Sequence, residues 1–170
     1  QDPAEVMRRI WAAPTFEVHG LVGGYHGPGV KTVVPGHGEL KVSMRLVPNQ
    51  TPEKAFALLK KHVAKLNPEV TVEREGMLHP FRGVFDGPYV DAVKRAVKAG
   101  FGKEPAFIRE GGSIGAVVTM QKAWKVPILF MGLSLPEHGY HAPNEYFDWG
   151  QASGGMKAFA HYFGELAKME

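Results

Sequence analysis

The hydrophobic pattern of this 170-residue chain changes near residue 80, and this change limits the fold more strongly than composition does. Before it, residues 39–47 alternate apolar Leu40 and Val42 with polar Lys41 and Ser43, which is the period of a half-buried β-strand. After it, residues 126–132 form a continuous apolar run, which is typical of a strand buried on both faces of an α/β sheet. We therefore expect two differently built parts, residues 1–80 and residues 81–170.

The first part predicts a helix packed on one face of an antiparallel sheet. Thr51-Pro52-Glu53 is a helix N-terminal signal with proline in the first turn, and Asn67-Pro68 ends the same helix. Residues on either side of this helix alternate in polarity or are rich in β-branched side chains. Strands are predicted at residues 15–21, 31–34, 39–47 and 70–75.

The second part alternates predicted helices and strands, which favours a mixed or parallel sheet covered by helices. Gly87-Pro88-Tyr89 opens an amphipathic helix that two glycines close. Trp124, Trp149, Phe130 and the methionines fall at core spacings, so we expect them to be buried. The predicted elements are helices at residues 87–101, 114–124 and about 149–169, with strands at 106–108 and 126–132.

Composition and charge limit the classes of partner that this chain can bind. The net charge is only +3 and the basic residues are scattered, which argues against nucleic acid, and no apolar run reaches 18 residues, which argues against a membrane span. The absence of cysteine excludes disulfides and thiolate metal sites; it does not settle the compartment, although we expect the cytoplasm. Because the chain opens on Gln1 rather than Met, we expect a fragment, or one chain of a cleaved or split enzyme.

Two polar segments follow predicted strands of the second part. Residues 109–113 come after the strand at 106–108, and residues 138–145 come after the strand at 126–132. Binding sites in α/β sheets lie beyond the carboxyl ends of strands, so we expect the two segments to converge. Within the second segment, His141 precedes Pro143 and Asn144 in a turn-forming sequence that presents a side chain to a cleft, where a histidine binds metal or moves protons.

The sequence does not supply a complete metal site. A hydrolytic zinc site needs three or more protein ligands for each ion and a carboxylate that takes a proton from the bound water. The chain has no His-Glu-x-x-His motif and no cysteine, and only His141 stands in a convincing ligand context. We therefore expect the chain alone to lack a functional centre.

Five motifs together resemble the co-catalytic zinc peptidase and aminoacylase family, and among its members the carnosinase-like dipeptidases. The resemblance is to the C-terminal part of such an enzyme and covers essentially all 170 residues. Each motif is weak alone, and their common order and spacing carry the resemblance. The motifs are Gly23-Gly24-Tyr25-His26-Gly27-Pro28-Gly29, Lys31-Thr32-Val33-Val34-Pro35, Met44-Arg45-Leu46-Val47-Pro48, Arg109-Glu110-Gly111-Gly112-Ser113 and His141-Ala142-Pro143-Asn144-Glu145.

The resemblance implies a two-domain subunit in which a lid that also dimerises is inserted into a zinc-bearing α/β domain. Residues 1–80 would be the second half of the lid and residues 81–170 the C-terminal part of the catalytic domain. A complete site would hold two Zn²⁺ ions, one of them contacted by this chain. The general base and the other ligands would lie in an N-terminal portion, so no catalytic residue is expected within this chain.

The resemblance also assigns roles to individual residues, each with a plainer alternative. His141 matches a zinc ligand, or else is a surface or capping histidine. Arg45 matches the residue for the substrate's terminal carboxylate, or else forms an ion pair on an exposed strand. Thr32 matches a lid residue that reaches the neighbouring subunit's substrate, or else is an ordinary strand threonine. Glu110 and Ser113 match residues for the substrate amine and carboxylate, or else form a solvated helix-capping loop.

Three functions stay open at this point. The first is a zinc-dependent dipeptidase whose C-terminal portion is inactive without the N-terminal portion. The second is a non-catalytic dimerisation or interaction fragment. The third keeps the family and changes the reaction to an aminoacylase, a deacetylase or a carboxypeptidase. His138 matches no ligand, and we expect it either to be structural or to contact a metal ligand without contacting the metal.

Overall fold

The computed structural model describes residues 2–109 and 114–169. No helix among them is both long enough and apolar enough to cross a bilayer. One unit holds the described residues up to Phe81 together with those of the segment ending at Val118, and a second holds Arg82–Ile108 and the residues from Thr119 onward. In chain order the elements are α1 (Pro3–Ala12), β1 (Thr15–Gly23), β2 (Gly38–Arg45), α2 (Pro52–Leu66), α3 (Pro88–Phe101), α4 (Gly115–Trp124), a 3₁₀ turn (Pro136–His138) and α5 (Trp149–Leu166).

Helix α1 was not predicted from the hydrophobic pattern, although its capping signal is plain in retrospect. Asp2 accepts a hydrogen bond from the Ala4 N–H at 3.1 Å, and Pro3 occupies the first helical position. Glu5 receives side-chain hydrogen bonds from Arg8 and Arg9, which lower the pKa of Glu5 to about 2.

Strands β1 and β2 form a two-stranded antiparallel sheet with a bulge at His19. Thr15 pairs with Arg45 and Val18 with Val42, but the register then shifts so that Gly20 pairs with Lys41. His19 is therefore the extra residue, and beyond it Leu21 lies on the same face as Phe16 and Val18. The resulting apolar cross-strand pairs are Phe16 with Met44, Val18 with Val42, and Leu21 with Leu40.

The strand predicted at residues 31–34 is wrong. The Val33 N–H donates to the Lys31 carbonyl at 3.0 Å, which closes a three-residue γ-turn around Thr32 instead of extending the chain. The loop that holds this turn is organised by Tyr25, whose hydroxyl donates to the Pro28 carbonyl at 2.9 Å and whose ring lies 5.9 Å from Lys31 Nζ. A local turn thus outweighs the β-propensity of two valines and a threonine.

Helix α2 begins and ends where the sequence predicts. The Thr51 hydroxyl accepts from the Lys54 N–H at 3.3 Å, and the Asn67 N–H donates to the Val63 carbonyl at 2.8 Å. Asn67 is followed by Pro68, which cannot continue the hydrogen-bond ladder. The capping signals were sufficient here because they act within a few residues.

Helices α3 and α5 pack against each other in the second unit. A Cβ added at Gly100 would lie 2.5 Å from the Gly154 carbonyl oxygen and 2.8 Å from the Ala158 nitrogen, so glycine permits this close approach. Arg95 of α3 and Glu165 of α5 form an ion pair at 2.6 Å. The buried side chains on the two helices are small or β-branched: Val90, Ala92, Val93, Ala96 and Ala158.

The strands predicted at residues 70–75, 106–108 and 126–132 are absent from the described part of the chain. A strand requires a neighbour to bond with, and within the described residues only β1 and β2 pair. The expectation of buried aromatics is also wrong, because Trp124, Trp149 and Phe130 are 61%, 74% and 55% exposed. Hydrophobic periodicity indicates which residues are suited to a core, but it does not show which other part of the protein packs against them.

Candidate functional site

The loop that carries His141 is closed at its base by His138. The Tyr146 N–H donates to the His138 carbonyl at 3.1 Å, and inside the loop the Ala142 N–H donates to the Gly139 carbonyl at 2.9 Å. His141 and Asn144 both have left-handed backbone conformations, with φ of 64° and 63°. A non-glycine residue in this conformation costs about 1–2 kcal/mol, so the surrounding contacts must hold it.

His138 is the buried polar residue on which this loop rests. Only 1% of it is exposed, and it packs edge-on against the rings of Tyr146 and Phe147, with centroids 5.0 and 5.6 Å away. Its Nδ1 accepts from the Leu135 N–H at 3.1 Å, and its Nε2 lies 2.8 Å from Asp148 Oδ2. Both ring nitrogens are therefore engaged within the protein, which agrees with the structural alternative for His138.

Asp148 joins the loop to helix α5. Its Oδ1 accepts from the Gln151 N–H at 2.9 Å as the N-cap of the helix, while its Oδ2 faces His138. The Gln151 N–H, followed by the His138 hydrogen bond, lowers the pKa of Asp148. The position of Asp148 just before the predicted helix was the one sequence signal for this contact.

The side chain of His141 is exposed, with the ring of Tyr140 edge-on at 6.1 Å. Residues 2–109 and 114–169 contain no group of three or more histidine, cysteine, aspartate or glutamate side chains able to hold a metal ion. An open groove of about 630 Å³ lies beside the loop. Its lining comprises Met131, Leu133, Ser134, Glu145, Tyr146 and Phe147.

Arg45 lies at the end of β2 in the first unit, beside a carboxylate. Its Nε is 3.6 Å from Glu17 Oε1, and Glu17 also accepts from the Thr15 hydroxyl at 3.0 Å and the Ser43 hydroxyl at 3.1 Å. These two hydroxyls, more than Arg45, lower the pKa of Glu17. The ion pair that was the plainer alternative for Arg45 is therefore present, and a role in substrate binding stays a prediction.

The other predicted site residues divide between the two units. Thr32, at the centre of its γ-turn, is exposed and shares the first unit with Arg45, whereas His141 belongs to the second. Glu110 and Ser113 lie outside the described residues, so their predicted convergence with the His141 loop is untested. The pairs Glu17–Arg45 and His138–Asp148 were missed as pairs, because hydrogen bonding across strands and loops leaves no local pattern.

The chain matches known proteins along nearly its whole length. Residues 1–71 match the family model of the peptidase dimerisation domain of M20 enzymes. The Cys-Gly metallodipeptidase dug1 of Schizosaccharomyces pombe is 32% identical over 174 residues, an alignment that covers 99% of this chain and 37% of that protein. The chain belongs to the M20 peptidase family.

Solved structures of M20 peptidases agree. Human carnosine dipeptidase 1 superposes with a TM-score of 0.82 at 30% identity, covering 96% of this chain and 36% of that one. The M20 metallo-carboxypeptidase Sso-CP2 of Sulfolobus solfataricus gives a TM-score of 0.83 at 29% identity, covering 95% of this chain and 38% of that one. The chain therefore spans little more than a third of the length of these relatives.

These similarities confirm two predictions. The resemblance to the C-terminal part of a zinc peptidase is confirmed as membership of the M20 family, and the α/β fold class with an antiparallel sheet is confirmed by the observed elements and the structural neighbours. The boundary near residue 80 between a lid part and a catalytic part stays a prediction, as do the roles of the individual site residues.

Proposed function

We propose that this chain is the C-terminal portion of a zinc-dependent M20 metallopeptidase that hydrolyses dipeptides or similar small amides, and that it is inactive without an N-terminal portion. The observation that carries the proposal is the match of 99% of the chain to 37% of a Cys-Gly metallodipeptidase. The lack of a three-ligand group among residues 2–109 and 114–169 supports the need for further protein.

His141 fits the role of one zinc ligand. Its side chain is exposed, and its backbone has a left-handed conformation that a surface histidine without a function does not require. An imidazole nitrogen is a preferred zinc donor. A complete site would hold two ions, of which this chain contacts one. Zinc, when bound, supplies Lewis acidity and lowers the pKa of a coordinated water.

The proposed tasks of the remaining residues are recognition and orientation. Arg45 would bind the terminal carboxylate of the substrate, since a guanidinium offers two parallel donors to a carboxylate. Thr32 would reach the substrate in the neighbouring subunit's site. Glu110 would contact the substrate amine and Ser113 its carboxylate. No residue of this chain is proposed as the general base.

The proposed partners are an N-terminal portion of the same enzyme and a second copy that dimerises through residues 1–80. The dimerisation-domain match over residues 1–71 supports the homodimer. Exposed apolar surface supports additional covering protein, since Leu21 is 79% exposed in the first unit and Trp149 is 74% exposed in the second. A cytoplasmic location is part of this proposal.

A carboxypeptidase reaction is the second candidate. The similarity to the M20 metallo-carboxypeptidase, with a TM-score of 0.83, is as strong as the similarity to the dipeptidases. An aminoacylase or deacetylase reaction and a purely structural dimerisation role are further outcomes. Cys-Gly, carnosine, an N-acetylated amino acid and a longer peptide, assayed in parallel, distinguish these reactions.

The test is intact mass spectrometry and zinc analysis of the purified, non-denatured material, followed by hydrolysis assays on the same sample. A second polypeptide with close to two zinc ions per pair and dipeptide hydrolysis would support the proposal. A single 18.6 kDa species without stoichiometric zinc or activity would identify an isolated fragment. Hydrolysis by a verified lone chain would contradict the proposal.

A matched pair of histidine variants tests the ligand role. His141→Asn in the active assembly should remove about one zinc ion and abolish hydrolysis. His161→Asn makes the same change at an exposed histidine on helix α5, outside the loop, and should retain both. Equal zinc content in the two variants would contradict the role of His141.

A further inference from the structure

We propose that His138 is a positioning residue, which acts through Asp148 to hold the loop of His141 in its strained conformation. The inference rests on the proposed function, because the position of His141 matters to catalysis only if His141 is a ligand. His138 itself touches neither substrate nor metal in this proposal, since both its ring nitrogens already have partners.

The hydrogen bonds define which nitrogen of His138 carries the proton. Nδ1 accepts from the Leu135 N–H at 3.1 Å, so it must be unprotonated. The proton is then on Nε2, which donates to Asp148 Oδ2 at 2.8 Å. A neutral imidazole in one tautomer is thereby fixed between the segment before the loop and the helix after it.

His138 closes the loop by its backbone as well as by its side chain. Its carbonyl accepts from the Tyr146 N–H at 3.1 Å, and its ring is bound to Asp148, two residues further along the chain. His141 and Asn144, the two left-handed non-glycine residues of this loop, lie between these closing contacts. Such conformations persist only where the surroundings over-determine them.

The two oxygens of Asp148 have separate tasks, and this permits a sharp test. Oδ1 caps α5 through the Gln151 N–H at 2.9 Å, while Oδ2 receives the His138 proton. An asparagine has one acceptor oxygen and one donor amide, so it can keep the cap or the histidine contact, but not both. Asp2 is the matched control, since it caps α1 through the Ala4 N–H with one oxygen and faces no histidine.

The experiment compares Asp148→Asn with Asp2→Asn in the 170-residue chain by NMR. Three quantities are measured without metal: the ¹⁵N shifts that report the His138 tautomer, the backbone order parameters of residues 139–146, and the intraresidue HN–Hα Overhauser effect that marks positive φ at His141. Circular dichroism checks that helix content is retained. Because no metal is present, failure of the proposed zinc role would appear in the zinc and hydrolysis assays and leave these results readable.

We expect the wild-type loop to have order parameters of about 0.85, and Asp148→Asn to lower them below about 0.6 and to remove the positive-φ signature at His141. Asp2→Asn should change neither. Unchanged loop order in Asp148→Asn while the Gln151 N–H stays capped, or a wild-type His138 protonated on Nδ1, would overturn the proposal.

Two variants of His138 separate the hydrogen bond to Asp148 from packing alone. His138→Gln places an amide donor near the position of Nε2, whereas His138→Asn reaches only the position of Nδ1. Both remove the ring that packs against Tyr146 and Phe147. We expect Gln to restore loop order and Asn to lose it; equal loop order in the two variants would overturn the role of the contact with Asp148.

Discussion

Arg45 of β2 makes a diagonal cross-strand contact with Glu17 of β1, with Arg45 Nε 3.6 Å from Glu17 Oε1. Glu17 is held in place by the hydroxyls of Thr15 and Ser43, at 3.0 and 3.1 Å. These two hydrogen bonds position the Glu17 carboxylate independently of its ion pair with Arg45. A substrate carboxylate that binds Arg45 would either displace Glu17 from the guanidinium or share the guanidinium with Glu17.

Replacing Glu17 with glutamine should destabilise the first unit in a pH-dependent way. Hydrogen bonds from Thr15 and then Ser43 lower the pKa of Glu17 in the folded chain. The stabilisation is therefore present above the unfolded carboxyl pKa of about 4.3, and it is lost as the pH falls through the lower folded value. Urea unfolding should show a lower midpoint for Glu17→Gln at pH 7, and the difference should shrink as the pH falls below the unfolded carboxyl pKa. Glu73→Gln, at an exposed position outside the sheet, is the control, and an equal effect there would contradict this account.

Replacing Arg45 with lysine should weaken substrate binding in the active assembly. Lysine keeps the charge and loses the two-donor geometry, so we expect KM to rise about tenfold, which corresponds to one charge-assisted hydrogen bond. The rise should occur for a dipeptide with a free terminal carboxylate and not for the corresponding amide. An equal change for both substrates would assign Arg45 to the ion pair with Glu17 alone.

Two glycine-to-alanine changes in packed helices should have opposite effects on stability. At Gly100 an added Cβ would lie 2.5 Å from the Gly154 carbonyl oxygen, so Gly100→Ala should destabilise by about 1–3 kcal/mol despite its better helix propensity. At Gly164 on α5 nothing lies within 4 Å of an added Cβ, so Gly164→Ala should stabilise by about 0.5–1 kcal/mol. Thermal unfolding measures both, and changes of the same sign would contradict the observed approach of α3 and α5.

Removing the Thr51 hydroxyl should destabilise helix α2. Its oxygen accepts from the Lys54 N–H at 3.3 Å, and losing such a cap costs about 1 kcal/mol. Thr51→Ala should show this loss in urea unfolding, whereas Thr51→Ser keeps the acceptor and should be nearly neutral. A loss of equal size in Thr51→Ser would indicate that the methyl group, rather than the cap, stabilises the helix.

Local signals in the sequence predicted four of the five α-helices among the described residues, and α1 was missed. Thr51, Asn67 and Gly87 mark helix ends through contacts within four residues, so no knowledge of the rest of the fold is needed. The predicted strands fared differently. Residues 126–132 have the composition of a buried strand, but a ladder depends on a distant partner, and residues 31–34 form a γ-turn that propensity does not reveal.

The candidate site was predictable only as separate pieces. The composition around His141 indicated an exposed turn, and the structure shows a left-handed residue there. The pairing of His138 with Asp148 could not be predicted, because it depends on how the loop folds back to the first turn of α5. The same holds for Glu17 and Arg45, which are brought together by strand register.

The bulge at His19 has a consequence for anyone who engineers or aligns this sheet. Successive residues of a strand point to opposite sides, so one additional residue exchanges the two sides for everything that follows. Leu21 reaches the side of Val18 only because His19 is passed over in the pairing. Deleting His19 would therefore leave Leu21 opposite Leu40 and convert the bulge into a regular ladder, whereas an alignment that pairs His19 with Lys41 and has no gap in β1 would attribute the wrong face to each residue beyond it.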